Sequence, residues 1–164
     1  MKIYEYLPKI TVLESESEFD RYVAEKLLRQ IKINPQIKLT MPTGKTPENM
    51  YGLLVKAYKQ KQVSFADVVI CILDEYWPID PKAPDSYAGY MRKHLIDKID
   101  IQLKNWHIPG GDAVDVEAEV LRYDKLVSDL RIDHAVVGLG PDLTNHLGFN
   151  EVGSEFDSRT RLVK

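Results

Sequence analysis

The chain has 164 residues, 44% of them hydrophobic and 29% charged, with a formal net charge of −3. That length suits one domain with its own core, and the acidic balance argues against a nucleic-acid or anionic-membrane partner, which would favour a basic surface. A single cysteine, Cys71, excludes an intrachain disulfide framework; apolar runs such as "DVVICIL" are too short to span a bilayer, and "MKIYEYLPKI" lacks the features of a secretion signal, so the composition fits the cytoplasm.

In chain order, "KIYEY" reads as a short strand or arm. In "SESEFDRYVAEKLLRQIKIN", Phe19, Val23, Leu27 and Ile31 recur at four-residue steps and predict one apolar helix face. Ser15 and Glu18 form a capping-box pattern at its start. "QIKLTM" is a compact apolar strand that runs into "PTGKTP". "ENMYGLLVKAYKQKQ" follows as a helix with Met50, Leu53, Leu54 and Ala57 on one side. "ADVVICIL" is the most strand-like run, apolar on both faces as in a helix-covered parallel sheet. "DSYAGYMRKHLIDKI" and "DVEAEVLRYDKLVSDL" are two further helices, and "HAVVGLG" is predicted as another buried strand. The order β-α-β-α-α-β predicts an α/β fold with an open, mostly parallel, Rossmann-like sheet flanked by helices, in a single domain over residues 1–164.

In such sheets ligands bind beyond the carboxyl ends of the strands, which selects "PTGKTP", "DEYWPID" and "GLGPDLTNH". In the first, Gly44 allows a tight turn, and Thr43, Lys45 and Thr46 offer hydroxyls and a positive charge. Pro47 suits the first turn of a helix, and free N–H groups at a helix start attract phosphate. The plainer reading of this segment alone is a strand-to-helix turn capped by Thr46. The P-loop spacing is absent.

Asp74 and Glu75 directly follow the most strand-like run. A carboxylate there is raised in pKa by desolvation and can act as a base; otherwise the segment is a solvated acidic loop with Trp77 on its rim. The third segment concentrates chemistry: Gly138 and Gly140 allow close backbone approach, and Asp142, His146 and Glu151 are three titratable groups within ten residues. A histidine held by carboxylates is the usual support for a proton-transferring imidazole. A metal site is poorly supported, with no His-x-x-x-His pair and a lone cysteine. His94, in a helix, His107, in a loop after Trp106, and His134, at a strand start, read as structural or surface residues.

Together "MPTGKTP", "LDEYWPI" with "DSYAGYMRKHLID", and "GLGPD…HLGFNE" with "GSEFDSRTRLV" resemble the glucosamine-6-phosphate deaminase (isomerase) family, relatives of the 6-phosphogluconolactonases. "DEY" and "FNE…SRTR" favour the deaminase branch. The resemblance implies conversion of an amino-sugar 6-phosphate, glucosamine or galactosamine, to a ketose 6-phosphate and ammonia, with no metal or organic cofactor. It implies Asp74 as the base moving a proton between C2 and C1, His146 as the group that opens the ring, and Asp142 and Glu151 as its orienting carboxylates. It also implies a substrate and phosphate site drawn from Thr43, Gly44, Lys45, Thr46, Glu75, Tyr76 and Gly140. The chain departs from the family pattern in three ways. "LTN" separates Asp142 from His146 where the family has one glycine, which puts Thr144 two residues before His146. Lys45 replaces a second glycine. The family's C-terminal part, with further strands and phosphate-gripping basic residues, is expected to be lacking, and an uncovered sheet face then predicts association into a homo-oligomer. Two alternatives stand beside the deaminase: a non-catalytic sugar-phosphate-binding protein and a 6-phosphogluconolactonase-type hydrolase.

Overall fold

The computed structural model describes residues 9–140, 146–150, 152–155 and 157–163. Four parallel strands lie side by side in the order β3-β2-β1-β4. They are β1 (Lys38–Met41), β2 (Val69–Ile72), β3 (Trp106–His107) and β4 (His134–Ala135). Four helices connect or precede them: α1 (Glu16–Ile33), α2 (Glu48–Lys59), α3 (Tyr87–His94) and α4 (Val116–Leu130). The α/β class and the parallel sheet are as the sequence predicts.

The register pairs Leu39 with Ile70 and Thr40 with Cys71 on one side of β1, and Leu39 with His134 on the other. Asp133 ties β4 to β1 twice: its N–H donates to the Lys38 carbonyl at 2.9 Å, and its Oδ2 accepts from the Lys38 N–H at 2.9 Å. The chain moves outward from β1 to β2 to β3, then returns across the sheet to β4. Because crossovers of this kind are right-handed, the reversal puts α4 on the face opposite α2 and α3. The core lies on the α1–α2–α3 face, where Leu27, Ile31, Leu39, Met41, Leu54, Ile70, Ile72 and Met91 are buried. On the other face Tyr123 is the buried residue of α4.

Local expectations hold with three corrections. Ser15 caps α1, its Oγ accepting from the Glu18 N–H at 3.2 Å, while Glu18 reaches back to the Glu14 N–H at 3.1 Å. The buried stripe of α1 runs through Asp20, Ala24, Leu27 and Ile31. Phe19, expected inside, is 49% exposed, because a strict four-residue step drifts off a helix of 3.6 residues per turn. "HAVVGLG" is not a buried strand: His134 and Ala135 form a two-residue edge strand and are exposed, and Val137 and Leu139 are 41% and 66% exposed. No described element covers this edge, so its apolar run meets solvent. His107, placed in a loop from sequence, pairs with Cys71 in β3. "KIYEY" lies outside the described residues.

Candidate active site at the strand switch point

The strand order reverses between β1 and β4, and there the connections leave in opposite directions and open a crevice. A cleft of about 210 Å³ occupies it. Met41 at the end of β1 with Pro42 and Thr43 after it, Leu73 and Asp74 after β2, Gly138–Gly140 after β4, and His146, Gly148 and Phe149 line it, with Tyr87 from α3. Three strand ends distant in sequence thus converge on one cavity. A neighbouring cavity of about 330 Å³ shares Asp74, Gly148 and Phe149 and extends over Glu75–Trp77, Tyr123 and the segment Ser158–Val163.

Asp74 is half-buried, and burial, helped by the nearby Glu75 charge, pushes its carboxyl up to about 6. At neutral pH it is an ionised carboxylate of raised basicity, suited to accept a proton. Gly148 packs against it. Its φ is +59°, and a methyl group at this position would stand 3.0 Å from Asp74 Oδ2. His146 is folded against Gly140: the Gly140 N–H donates to the His146 carbonyl at 2.9 Å, and a methyl group on residue 140 would lie 2.4 Å from the imidazole Cε1. Both glycines are therefore required by close approach to a titratable side chain.

Of the other expected site residues, Thr43 lines the cleft, whereas Gly44, Lys45 and Thr46 follow it in the chain, exposed and outside the cleft lining. Gly44 sits at φ +101° and makes the turn possible. Thr46 is not the cap of α2: Pro47 occupies that position with no side-chain hydrogen bond. Glu75 does not project freely. Its Oε1 accepts from the N–H groups of Tyr76 and Tyr87, both at 2.9 Å, and its Oε2 accepts from Ala88 at 2.8 Å. It fastens the Asp74 loop to the start of α3, where Ser86 also caps through the Gly89 N–H at 2.9 Å. Tyr76 is 47% exposed, and its hydroxyl lies 3.3 Å from that of Tyr87. Asp142 and Glu151 lie outside the described residues, as does Thr144.

Besides the expected Tyr76, several residues not singled out from the sequence shape the site. Tyr76, Tyr87 and Phe149 form an aromatic cluster with centroids 5.0, 5.2 and 5.8 Å apart beside Asp74. Burial, its hydrogen bond to Tyr76 and the Asp74 charge push the Tyr87 phenol upward, so it stays protonated. Tyr123 donates to the Ile72 carbonyl at 2.6 Å, with the His107 carbonyl at 3.3 Å, and so stitches β2 to β3 just before Asp74. Arg161 bonds Asn150 Oδ1 at 2.9 Å and Ser154 Oγ at 2.8 Å. Arg159 pairs with Asp124, Nε to Oδ1 at 2.9 Å, and with Ser128 Oγ at 2.8 Å, laying the "SRTR" segment along α4. Tyrosine spacing on a helix signals packing rather than hydroxyl chemistry, so of this set only Tyr76, in the "DEY" motif, and the arginines of "SRTR" had a sequence signal.

The chain is thus an α/β domain whose parallel sheet brings a carboxylate and an imidazole, Asp74 and His146, into one cleft at its switch point. The family model described as "Glucosamine-6-phosphate isomerases/6-phosphogluconolactonase" matches residues 14–146, and the chain belongs to that family. It is 36% identical over 156 residues to a glucosamine-6-phosphate deaminase of Bacillus pumilus, covering 94% of this chain and 64% of the relative. It is 38% identical, over 94% of this chain and 62% of the relative, to one of Mycoplasma mycoides. Among solved structures, a monomeric glucosamine-6-phosphate deaminase of the NagB superfamily matches with a TM-score of 0.87 at 34% identity, covering 92% of this chain and 62% of that one. A 6-phosphogluconolactonase from Thermotoga maritima, at 17% identity and a TM-score of 0.68, covering 85% of this chain and 62% of that one, shares the fold. The chain thus spans somewhat less than two thirds of the length of these relatives. Among the described residues no helix is long and apolar enough to cross a membrane.

Proposed function

We propose that this chain carries the catalytic half-site of an amino-sugar 6-phosphate isomerase-deaminase acting on glucosamine 6-phosphate or galactosamine 6-phosphate. The observation that carries this reading is a half-buried Asp74, titrating at about 6, in one cleft with His146 at the strand switch point. His146 opens the pyranose by moving a proton between the anomeric hydroxyl and the ring oxygen. Asp74 takes the proton from C2 of the opened aldose and returns it to C1, while the amino group gives up a proton and O1 gains one, which leaves an imine at C2 and a hydroxymethyl group at C1. Water adds to that imine, and ammonia departs as the C2 ketone forms. Asp142 and Glu151 are the proposed carboxylates that orient the imidazole. The turn Thr43–Thr46 is the proposed phosphate subsite, with Thr43 toward the cleft and Lys45 exposed outside its lining. Glu75 contributes by fixing the loop that presents Asp74, Gly140 by walling the cleft, and Tyr76 by walling the cavity next to it.

The decisive experiment offers the protein glucosamine 6-phosphate, galactosamine 6-phosphate and 6-phosphogluconolactone, and measures ammonia, ketose 6-phosphate and lactone loss. Ammonia and ketose in equal amounts, both abolished by Asp74→Asn, support the deaminase. Binding of the amino sugars without products reduces the chain to a sugar-phosphate binder. Turnover of the lactone alone overturns the proposal in favour of a hydrolase.

A further inference from the structure

Two tyrosines from two different helices end on the backbone of one short turn. The Tyr51 hydroxyl, from α2, donates to the Pro42 carbonyl. The Tyr90 hydroxyl, from α3, donates to the Gly44 carbonyl. The rings meet edge to face, with centroids 6.3 Å apart at 66°. Tyr90 is in turn stacked on His94, with centroids 4.4 Å apart at 28°. Tyr51 is fully buried, and a buried phenol requires an acceptor. Its ring fixes where that acceptor must stand.

The consequence follows from peptide geometry. In a trans peptide the carbonyl and the next residue's N–H point in opposite directions. Holding the Pro42 and Gly44 carbonyls on the two phenols turns the N–H groups of Thr43 and Lys45 away from α2 and α3. It also removes two carbonyl dipoles from the open side of the turn, where they would repel an anion. Among the described residues, no acceptor takes a hydrogen bond from the N–H groups of Thr43, Gly44, Lys45 or Thr46. The φ of +101° at Gly44 makes this alternation of directions possible.

We propose that Tyr51 and Tyr90 are positioning residues that preset the Pro42–Lys45 turn, with its N–H groups outward, for the phosphate of the substrate. This deepens the phosphate-subsite reading given above and rests on it. Neither tyrosine touches the phosphate. Each acts through a carbonyl, so each should set phosphate affinity separately from overall folding.

The test compares wild type with Tyr90→Phe, Tyr51→Phe and, as a control, Tyr58→Phe. Tyr58 is another α2 tyrosine, packed edge-on against Phe65 with centroids 6.5 Å apart. Inorganic phosphate and unphosphorylated glucosamine are titrated by calorimetry, and each variant's melting temperature is taken with and without phosphate. Wild type should bind phosphate. Tyr90→Phe and Tyr51→Phe should bind it roughly three- to tenfold more weakly, the scale of one net hydrogen bond. Tyr58→Phe should match wild type, and glucosamine affinity should not change in any variant. If turnover is present, KM for the phosphorylated sugar should rise with kcat nearly constant. Should Tyr51→Phe fail to fold, the half-buried Tyr90 carries the test alone. Equal phosphate affinity in wild type and Tyr90→Phe overturns the positioning role and leaves the phosphate subsite intact. Absence of phosphate binding by wild type overturns the subsite reading itself, and with it the role proposed for both tyrosines.

Discussion

Gly148 stands so close to Asp74 that the smallest possible side chain at residue 148 would reach 3.0 Å from the carboxylate Oδ2. The glycine also holds a φ of +59°, where a Cβ is strained. Gly148→Ala is therefore expected to lower stability by about 1–2 kcal/mol and to displace the carboxylate. If Asp74 is the proton-transfer base, turnover should fall by roughly a hundredfold, within the range such groups contribute. Melting curves separate the two effects, since a stability loss alone leaves the rate per folded molecule unchanged.

Asp74 titrates at about 6 in the folded chain against an ordinary value of 3.8. Between about pH 4 and 6 the folded state therefore binds more protons than the unfolded state, so stability falls as pH rises through that window and is level above it. The ionised form, which the proposed reaction needs, is the destabilised one. Asp74→Asn should abolish turnover, flatten that part of the stability-against-pH curve and stabilise the chain at pH 7 by up to about 3 kcal/mol, the free-energy equivalent of a two-unit shift. The activity of wild type should rise with pH through about 6. A denaturant series at pH 4, 5, 6 and 7 checks the sign.

Glu75 was expected to touch substrate, yet both of its oxygens are engaged by N–H groups at the start of α3. Glu75→Ala removes three accepted hydrogen bonds and should cost about 2–3 kcal/mol, as the loss of a helix cap with several donors does. That corresponds to a melting point roughly 5–10 °C lower. Glu75→Gln keeps one good acceptor and should lose less. Substrate affinity falling far more than stability would return Glu75 to the binding surface.

The Arg159–Asp124 pair is solvent-exposed, so its worth lies in where it lays the chain. Asp124→Asn should leave the melting temperature nearly unchanged while making the segment 157–163 more open to proteolysis, and added salt should reproduce the effect in wild type. Limited proteolysis followed by mass measurement reads this directly.

The strands β1 and β2 and all four helices were legible from their apolar runs and apolar periodicity, and at the start of α1 the Ser15 cap agrees with them. The strand β3 was not, since two residues carry no period; Trp106 and His107 are recruited by pairing with Ile70 and Cys71. In "HAVVGLG" the apolar run was visible but its position at an open edge was not, because edge or centre is a property of the sheet. Thr43, Asp74, Gly140 and His146 could be found by combining strand ends with residue chemistry, and the cleft brings all four together. The hydroxyls of Tyr51, Tyr87, Tyr90 and Tyr123 could not, because each bonds a group far away in the sequence or on another element.

The thin edge ladder of β4 has a bearing on what binding reports. Only two residues of β4 pair with β1, reinforced by the reciprocal Asp133–Lys38 bonds, and the chain leaving β4 supplies Gly138, Gly140 and His146 to the cleft. The main core sits elsewhere, among α1, α2, α3 and the two central strands. An opening confined to β4 would erase one wall of the cleft and leave that core untouched. Ligand occupancy is then a gauge of this single edge rather than of global folding. Amide hydrogens of Ala135 and Val136 should exchange early in the free protein and slow sharply, ahead of those in β2, once the cleft is filled.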